Sequence, residues 1–244
     1  MPVNPADSPI LGTLYGSDAM RAVFDERAYF QRMLDVEAAL ARVQARFGII
    51  PADAAATITD AARVENLSTE ELAASARNVG YPVVGLVAGL SRAAGDAGGW
   101  THWGATTQDI MDTATVLQIR DGLSLIRATL CGMVQALTAQ ADRHRHTVMA
   151  GRTHLQQALP TTLGLKCAIW AQPLITHVQR LDAMRPRVEQ VSFAGAAGTL
   201  ASLGDKGIAV MEGLATELDL VAPVSPWHVS RDGFAETVAF LGLI

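Results

Sequence analysis

Apolar residues recur at spacings of three and four along most of the chain, whereas the strict alternation of half-buried strands is not clustered anywhere. The first apolar stripe predicts a helix over residues 26–47, with Gly48 as its C-terminal stop. A second helix is expected from Pro51, and the spacing of Ser68 and Glu71 is typical of a capping box at the start of the next helix. The pattern therefore predicts an all-α fold.

Long helices dominate the second half of the pattern. The apolar seam over residues 106–146 predicts a helix of roughly 60 Å, a length typical of an extended bundle. After the polar, irregular stretch MAGRTHLQQALP, Pro160 is expected to open another long helix, and a shorter helix is expected over residues 202–220. We therefore predict a small N-terminal helical domain over residues 1–105 and an incomplete central long-helix bundle over residues 106–244.

An apolar helical pattern runs up to the last residue of the sequence. The segment RDGFAETVAFLGLI stops within an apolar helical pattern and has no polar stop signal. An incomplete bundle leaves apolar helix faces uncovered. We therefore expect a truncated bundle, in which the natural protein continues further or a partner covers this end.

Composition narrows the classes of function. The formal net charge is −5, only 18% of the residues are charged and no block of Lys and Arg occurs, which argues against a nucleic-acid surface and a polybasic membrane patch. The start, MPVNPADSPI, lacks the features of a signal peptide, and no uninterrupted apolar run reaches the roughly 18 residues of a membrane span. The two cysteines have neither CxxC spacing nor a histidine cluster, so no metal site is expected. A cytoplasmic protein that binds neither nucleic acid nor membrane is the default expectation.

Two polar stretches between predicted helices contain candidate chemistry. The first reads HWGATTQD and holds His102, Thr106, Thr107 and Gln108, after a glycine-rich loop whose two tryptophans predict a packed structure. Hydroxyls before a helix either cap it or, together with free N–H groups of its first turn, bind a carboxylate. The residues alone leave both interpretations open.

The second stretch reads GRTHLQQALP, and its histidine, His154, is a candidate for proton transfer because the unperturbed pKa of histidine lies near 6.5. Glu37, within the first apolar stripe, is interpreted as a carboxylate at the edge of its helix in preference to a catalytic carboxylate. A third stretch, FAGAAGTLASLG, favours either close helix packing or a backbone surface that a substrate approaches. The histidines interpreted as ordinary surface residues are His144, His146, His177 and His228.

Taken together, the motifs HWGATTQDIMDT and GRTHLQQALPTT, separated by one long predicted helix, resemble the fumarase/aspartase superfamily. More narrowly, they resemble the branch that contains adenylosuccinate lyase and 3-carboxy-cis,cis-muconate cycloisomerase. The opening LYGSDAMRAVFDERAYFQRMLDVEAALA and the segment FAGAAGTLASLG extend the similarity over essentially the whole chain. The resemblance implies an all-α homotetramer whose active sites each collect segments from three subunits. It also implies a small polycarboxylate substrate and neither a metal nor an organic cofactor.

The resemblance further implies roles for individual residues. His154 matches the general acid/base, and His102 matches a histidine that orients the substrate. Thr106 and Thr107 match a hydroxyl pair that binds a substrate carboxylate. The chemistry is addition or elimination across a carbon–carbon bond next to a carboxylate, which needs a proton moved at the α carbon. The remaining substrate-binding positions are Gln108, Thr153 and Gln156.

One signature of the superfamily, a serine loop of the form GSSxMPxKxNP that supplies the catalytic base, does not occur in this sequence. We therefore expect these 244 residues to have little or no activity alone. Adenylosuccinate lyases carry Arg-Tyr where this chain reads Leu14-Tyr15, and a phosphate prefers a cationic partner. This favours the cycloisomerase, which interconverts 3-carboxy-cis,cis-muconate and a carboxymuconolactone in protocatechuate degradation. An adenylosuccinate lyase-like enzyme and a non-catalytic helical assembly module stay open as alternatives.

Overall fold

The computed structural model describes Ser8 and residues 10–244. Most of the segment MPVNPADSPI, in which the sequence analysis finds no signal-peptide features, therefore lies outside the described residues. The described part is mostly helical, which confirms the all-α prediction apart from one small sheet. The α-helices are α1 (Gly12–Tyr15), α2 (Asp18–Val23), α3 (Glu26–Arg46), α4 (Ala52–Ala61), α5 (Thr69–Val79), α6 (Val83–Ala93), α7 (Thr107–Arg143), α8 (Leu163–Val188), α9 (Gly207–Glu217) and α10 (Asp232–Leu241).

The described chain divides into two compact units. Unit 1 comprises the chain up to Asp121 together with Pro186–Phe234. Unit 2 comprises Gly122–Arg185 together with Ala235–Ile244. Helices α7, α8 and α10 contribute residues to both units. The predicted domain boundary cuts the chain once, between residues 105 and 106, whereas each compact unit combines two separate segments of the chain. The predicted boundary stays a prediction.

Helix α3 lies at the centre of the core of unit 1. Asp25 caps its N-terminus, because the Asp25 carboxylate accepts the N–H groups of Arg27 and Ala28. The apolar stripe predicted from the sequence then packs against α4 and α9, which removes a large apolar area from water. Five apolar side chains of α3 are completely excluded from solvent: Met33, Leu34, Val36, Ala39 and Val43.

Helix α7 confirms the longest helix that the sequence predicts. Among the described residues it is the one helix that is long and apolar enough to cross a membrane by length and composition alone. The core helix of a soluble protein can have the same length and composition. In α7, however, only 17% of the most apolar 18-residue segment is buried within the chain. Most of the apolar surface of this helix segment is therefore exposed in the single chain.

The stretch between α7 and α8 differs from its prediction. The sequence predicts an irregular segment up to a helix beginning at Pro160, but the stretch forms an antiparallel hairpin of β1 (Val148–Thr153) and β2 (Gln156–Thr162). Pro160 lies within β2, where a two-stranded ribbon tolerates the missing N–H group. Most hairpin residues are exposed on both faces, so the sequence has no apolar–polar alternation that would indicate a strand.

The predicted helix over residues 202–220 is shorter than expected. A 3₁₀ turn spans Ala201–Lys206, and α9 begins only after Gly204, whose φ of +53° lies in the left-handed region. Before this turn, Gly195 and Gly198 also have positive φ, and the stretch is not helical. The small residues therefore serve backbone turns beside α7 rather than helix packing.

Candidate active site

The first candidate histidine is held by a buried carboxylate. Glu37 is only 1% exposed on α3, and its Oε1 lies 2.6 Å from Nδ1 of His102. Its second oxygen, Oε2, accepts the backbone N–H of His102 at 3.1 Å. His102 has a φ of +59°, so the carboxylate fixes both the ring and an uncommon left-handed backbone. The interpretation of Glu37 as a helix-edge carboxylate is wrong, because its long side chain is fully buried against this loop.

Glu37 also changes the protonation of His102. Burial alone lowers the pKa of the imidazole, because it disfavours the charged form. The hydrogen bond and negative charge of Glu37, with a further contribution from the charge of Asp109, outweigh this effect. The pKa of His102 is therefore raised above its usual value.

The loop around His102 is packed, as its two tryptophans predict. The Gln44 side chain, on α3 like Glu37, donates to the carbonyl of Trp103 at 2.6 Å. The rings of Trp100 and Trp103 lie 5.6 Å apart in a tilted arrangement. Because these contacts fasten the loop to α3 and pack its own rings together, the loop presents His102 from a fixed frame.

The N-terminus of α7 presents two threonine hydroxyls. The Thr106 backbone N–H donates to Oδ2 of Asp109 at 3.0 Å, so the helix is capped by the carboxylate of its own first turn. Within residues 8 and 10–244, neither the Thr106 nor the Thr107 hydroxyl makes a hydrogen bond. The interpretation that these hydroxyls cap the helix is therefore not realised. Both remain available at a helix end that favours anions.

Asp109 joins three segments of unit 1. It is completely buried, and besides Thr106 it accepts the backbone N–H groups of Ala194 and Gly195, each at 3.0 Å. Its Oδ1 also lies 2.7 Å from Nε2 of His228. The surface interpretation of His228 is therefore wrong, because a carboxylate distant in sequence draws its ring inward. The glycine-rich third stretch is tied to the first polar stretch by this single carboxylate.

Gln108 takes part in a neighbouring polar cluster. Its amide donates to Oδ2 of Asp112 at 3.0 Å and to the carbonyl of His228 at 2.8 Å. Arg231 binds both oxygens of Asp112, and its guanidinium lies over the rings of Trp227 and Phe234. This places Gln108 in a structural network rather than free for a ligand.

The second candidate group lies on the hairpin in unit 2. Thr153 and Gln156 are paired at the end of the two strands, and His154 and Leu155 form the two-residue turn between them. The turn is exposed, and Leu155 has a φ of +55°. The structure thus presents the three predicted residues at one exposed tip, and their catalytic roles stay predictions.

The sequence thus marked two segments and missed the residues that organise the first. Glu37, Asp109 and His228 act through contacts between residues far apart in the chain, which a spacing pattern does not contain. Only Glu37 left a signal, as a charged residue within an apolar stripe. No group of three or more His, Cys, Asp or Glu residues in the described part of the chain is arranged to hold a metal.

Comparison with known proteins shows which family this chain is similar to. A family profile described as "Lyase" matches residues 15–244. The chain is 46% identical to 3-carboxy-cis,cis-muconate cycloisomerase of Pseudomonas aeruginosa, over 92% of this chain and 50% of that protein. It is 40% identical to adenylosuccinate lyase of Methanothermobacter thermautotrophicus, over 94% of this chain and 52% of that protein. The crystal structure of a fumarate lyase from Mesorhizobium superposes with a TM-score of 0.88 at 54% identity, over 94% of this chain and 54% of that one.

The chain therefore belongs to this lyase family of the fumarase/aspartase superfamily, as the two histidine motifs indicate. Relatives with the cycloisomerase and the adenylosuccinate lyase names match at comparable identity, so the family is defined more sharply than the reaction. The chain spans about half the length of these relatives.

Proposed function

We propose that this chain forms part of a cycloisomerase that interconverts 3-carboxy-cis,cis-muconate and a carboxymuconolactone. The observation that carries the proposal is the geometry at the start of α7. Two unbonded hydroxyls, Thr106 and Thr107, follow a histidine that a buried carboxylate orients. A helix N-terminus with free hydroxyls suits a substrate carboxylate, and an oriented imidazole suits proton transfer or substrate alignment next to it.

In this proposal, the residues of the chain divide the chemistry between them. The hydroxyls of Thr106 and Thr107 bind a substrate carboxylate and stabilise the enolate-like charge that develops when the α carbon loses a proton. His102 orients the substrate. His154 acts as general acid/base, and Thr153 and Gln156 bind the substrate with it. Gln108, held by Asp112, supports the start of α7, where the two threonines lie. The serine-loop motif that the resemblance assigns the catalytic base does not occur in these 244 residues.

The environment of the N-terminal segment supports a substrate without a phosphate. Leu14 stands where adenylosuccinate lyases carry the arginine, and the nearby cation, Arg21, already donates to the carbonyls of Gly12 and Gly16. The adjacent cavity, of about 870 Å³, is lined by the acidic residues Asp25 and Glu26. A phosphate at this place would meet two like charges and an arginine that is already engaged.

Exchange of the matched half of a known relative tests the proposal. A chimera in which this chain replaces the matched part of the Pseudomonas aeruginosa cycloisomerase is expected to consume 3-carboxy-cis,cis-muconate, measured as the loss of diene absorbance. The 244-residue chain alone is expected to show little or no turnover. The change His154→Ala in the chimera is expected to lower the rate by about 100-fold or more, because a general acid/base contributes on that order. Thr147→Ala, at the edge of the hairpin, serves as the matched control.

Each alternative has its own outcome in this assay. Cleavage of adenylosuccinate without lactonisation would favour the adenylosuccinate lyase-like enzyme. Unchanged activity of the His154→Ala chimera would contradict the proposed role, and unchanged activity together with altered association would favour the non-catalytic assembly module. We further propose a homotetramer, because the apolar surface of unit 2 is exposed in the single chain and other copies of the chain would cover it. The cytoplasmic location stays a prediction.

A further inference from the structure

A buried carboxylate that holds both the backbone and the ring of one histidine has few purely structural uses. Burying a charged group costs free energy unless it is paired, and even a paired buried carboxylate often adds no stability over an apolar side chain. Glu37 is paired at both oxygens with one residue, His102, through Nδ1 and through the backbone N–H. The arrangement therefore fixes the orientation of the His102 ring and the nitrogen that carries its proton.

We infer that Glu37 is the positioning residue of His102: it selects the Nδ1–H tautomer and leaves Nε2 as the nitrogen available to a ligand. The reason is the hydrogen-bond inventory of the two groups. An ionised carboxylate only accepts, so Nδ1, at 2.6 Å from Oε1, has to carry the proton. Nε2 makes no hydrogen bond to any of the residues that the structure describes. That Nε2 meets the substrate rests on the function proposed above.

The second buried carboxylate of the site imposes the opposite tautomer on its own histidine. Oδ1 of Asp109 lies 2.7 Å from Nε2 of His228, so this ring carries its proton on Nε2. The two carboxylates therefore allow a crossed experiment in one molecule. The tautomer of each histidine reports on its own carboxylate and serves as the control for the other.

The experiment is nuclear magnetic resonance of the whole 244-residue chain labelled with ¹⁵N in histidine, without substrate. Above the midpoint of the His102 titration, the wild-type chain is expected to show His102 as the Nδ1–H tautomer and His228 as the Nε2–H tautomer. The His102 midpoint is expected above the usual histidine value, as the raised pKa requires. A wild-type His102 in the Nε2–H tautomer would overturn the inference, whatever the variants do.

Glu37→Gln makes the sharpest variant, because a glutamine has one acceptor and one donor group where the glutamate has two acceptors. The His102 backbone N–H can only donate and takes the amide oxygen. Nδ1 then faces the amide NH₂ and has to accept from it. The expected result is a switch of His102 to the Nε2–H tautomer and a lower titration midpoint. A variant that folds and keeps the Nδ1–H tautomer with an unchanged midpoint would contradict the inference.

Asp109→Asn is the matched control, since it neutralises the other buried carboxylate by the same isosteric change. It is expected to alter the tautomer balance of His228 and to leave His102 in the Nδ1–H form. A simple loosening of the fold would disturb both histidines in both variants. Because no substrate is present, a failed result here would contradict only the role of Glu37 and would leave the proposed reaction untouched. A failed chimera assay would contradict only the proposed reaction and would leave the role of Glu37 untouched.

Discussion

At the scale of the residue, two buried carboxylates build the candidate site. Glu37 and Asp109 are almost completely excluded from water, and each is satisfied by N–H groups of segments distant in sequence. Buried polar groups that are fully paired define one arrangement of the groups around them, since any other arrangement leaves a charge unpaired. The histidines that they hold are therefore fixed before any ligand arrives.

The raised pKa of His102 predicts how stability depends on pH. A group whose pKa is higher in the folded state contributes stability that is fully present below its unfolded value, near 6.5. This contribution is lost as the pH rises through the folded-state pKa. The free energy of unfolding of the wild-type chain, relative to His102→Asn, is thus expected to fall as the pH rises from about 6 to above the folded midpoint. Urea denaturation at a series of pH values measures it.

Asparagine is the suitable replacement because it does not titrate and tolerates the left-handed backbone at this position. A difference between the two chains that stays flat over this range, or that grows with pH, would contradict the raised pKa.

At the scale of the element, the packed loop between α6 and α7 is what brings His102 to Glu37. The Ser91 hydroxyl donates to the Gly98 carbonyl, and the Thr101 hydroxyl donates to the same carbonyl at 2.8 Å. The tryptophans predicted this packing, but not its close backbone approach. Gly98 lies so near to Ser91 that a Cβ atom would be 2.2 Å from its carbonyl oxygen.

Gly98→Ala is therefore expected to destabilise the chain by about 1–3 kcal/mol, because the contacted atom is backbone and cannot rotate away. The neighbouring Gly99→Ala is the matched control, since no atom outside its chain neighbours lies within 4 Å of the position that a Cβ would take there. That control is expected to stay within about 0.5 kcal/mol of the wild type. Thermal and urea unfolding measure both. Equal stability of the two variants would show that the loop does not depend on this approach.

At the scale of the whole molecule, unit 2 exposes several large apolar side chains in the single chain. Leu165, Ile169 and Trp170 of α8 are each more than half exposed, and Leu155 and Leu159 of the hairpin are more than four-fifths exposed. Monomeric soluble proteins seldom leave such clusters uncovered. We expect other copies of the chain to cover this surface.

Ile169→Glu tests this expectation, because a charge at an apolar interface leaves a buried ion without a partner. The wild-type chain is expected to sediment as an oligomer, and the variant as a smaller species with unchanged helix content. Gln179→Glu, an exposed position on the same helix, is expected to leave the association unchanged. A wild-type chain that sediments as a monomer at all concentrations tested would contradict the oligomer.

The sequence by itself determined the helical class, the bounds of α3 and α7 within a few residues, and the two polar segments that hold His102 and His154. These follow from short-range periodicity and from local motifs, which the order of residues contains directly. Only the tertiary structure decided that Glu37 is buried, that Asp109 joins three segments and that the stretch around His154 is a hairpin. Burial and long-range pairing depend on which segments meet in space, and a mostly exposed ribbon leaves no apolar alternation in the sequence.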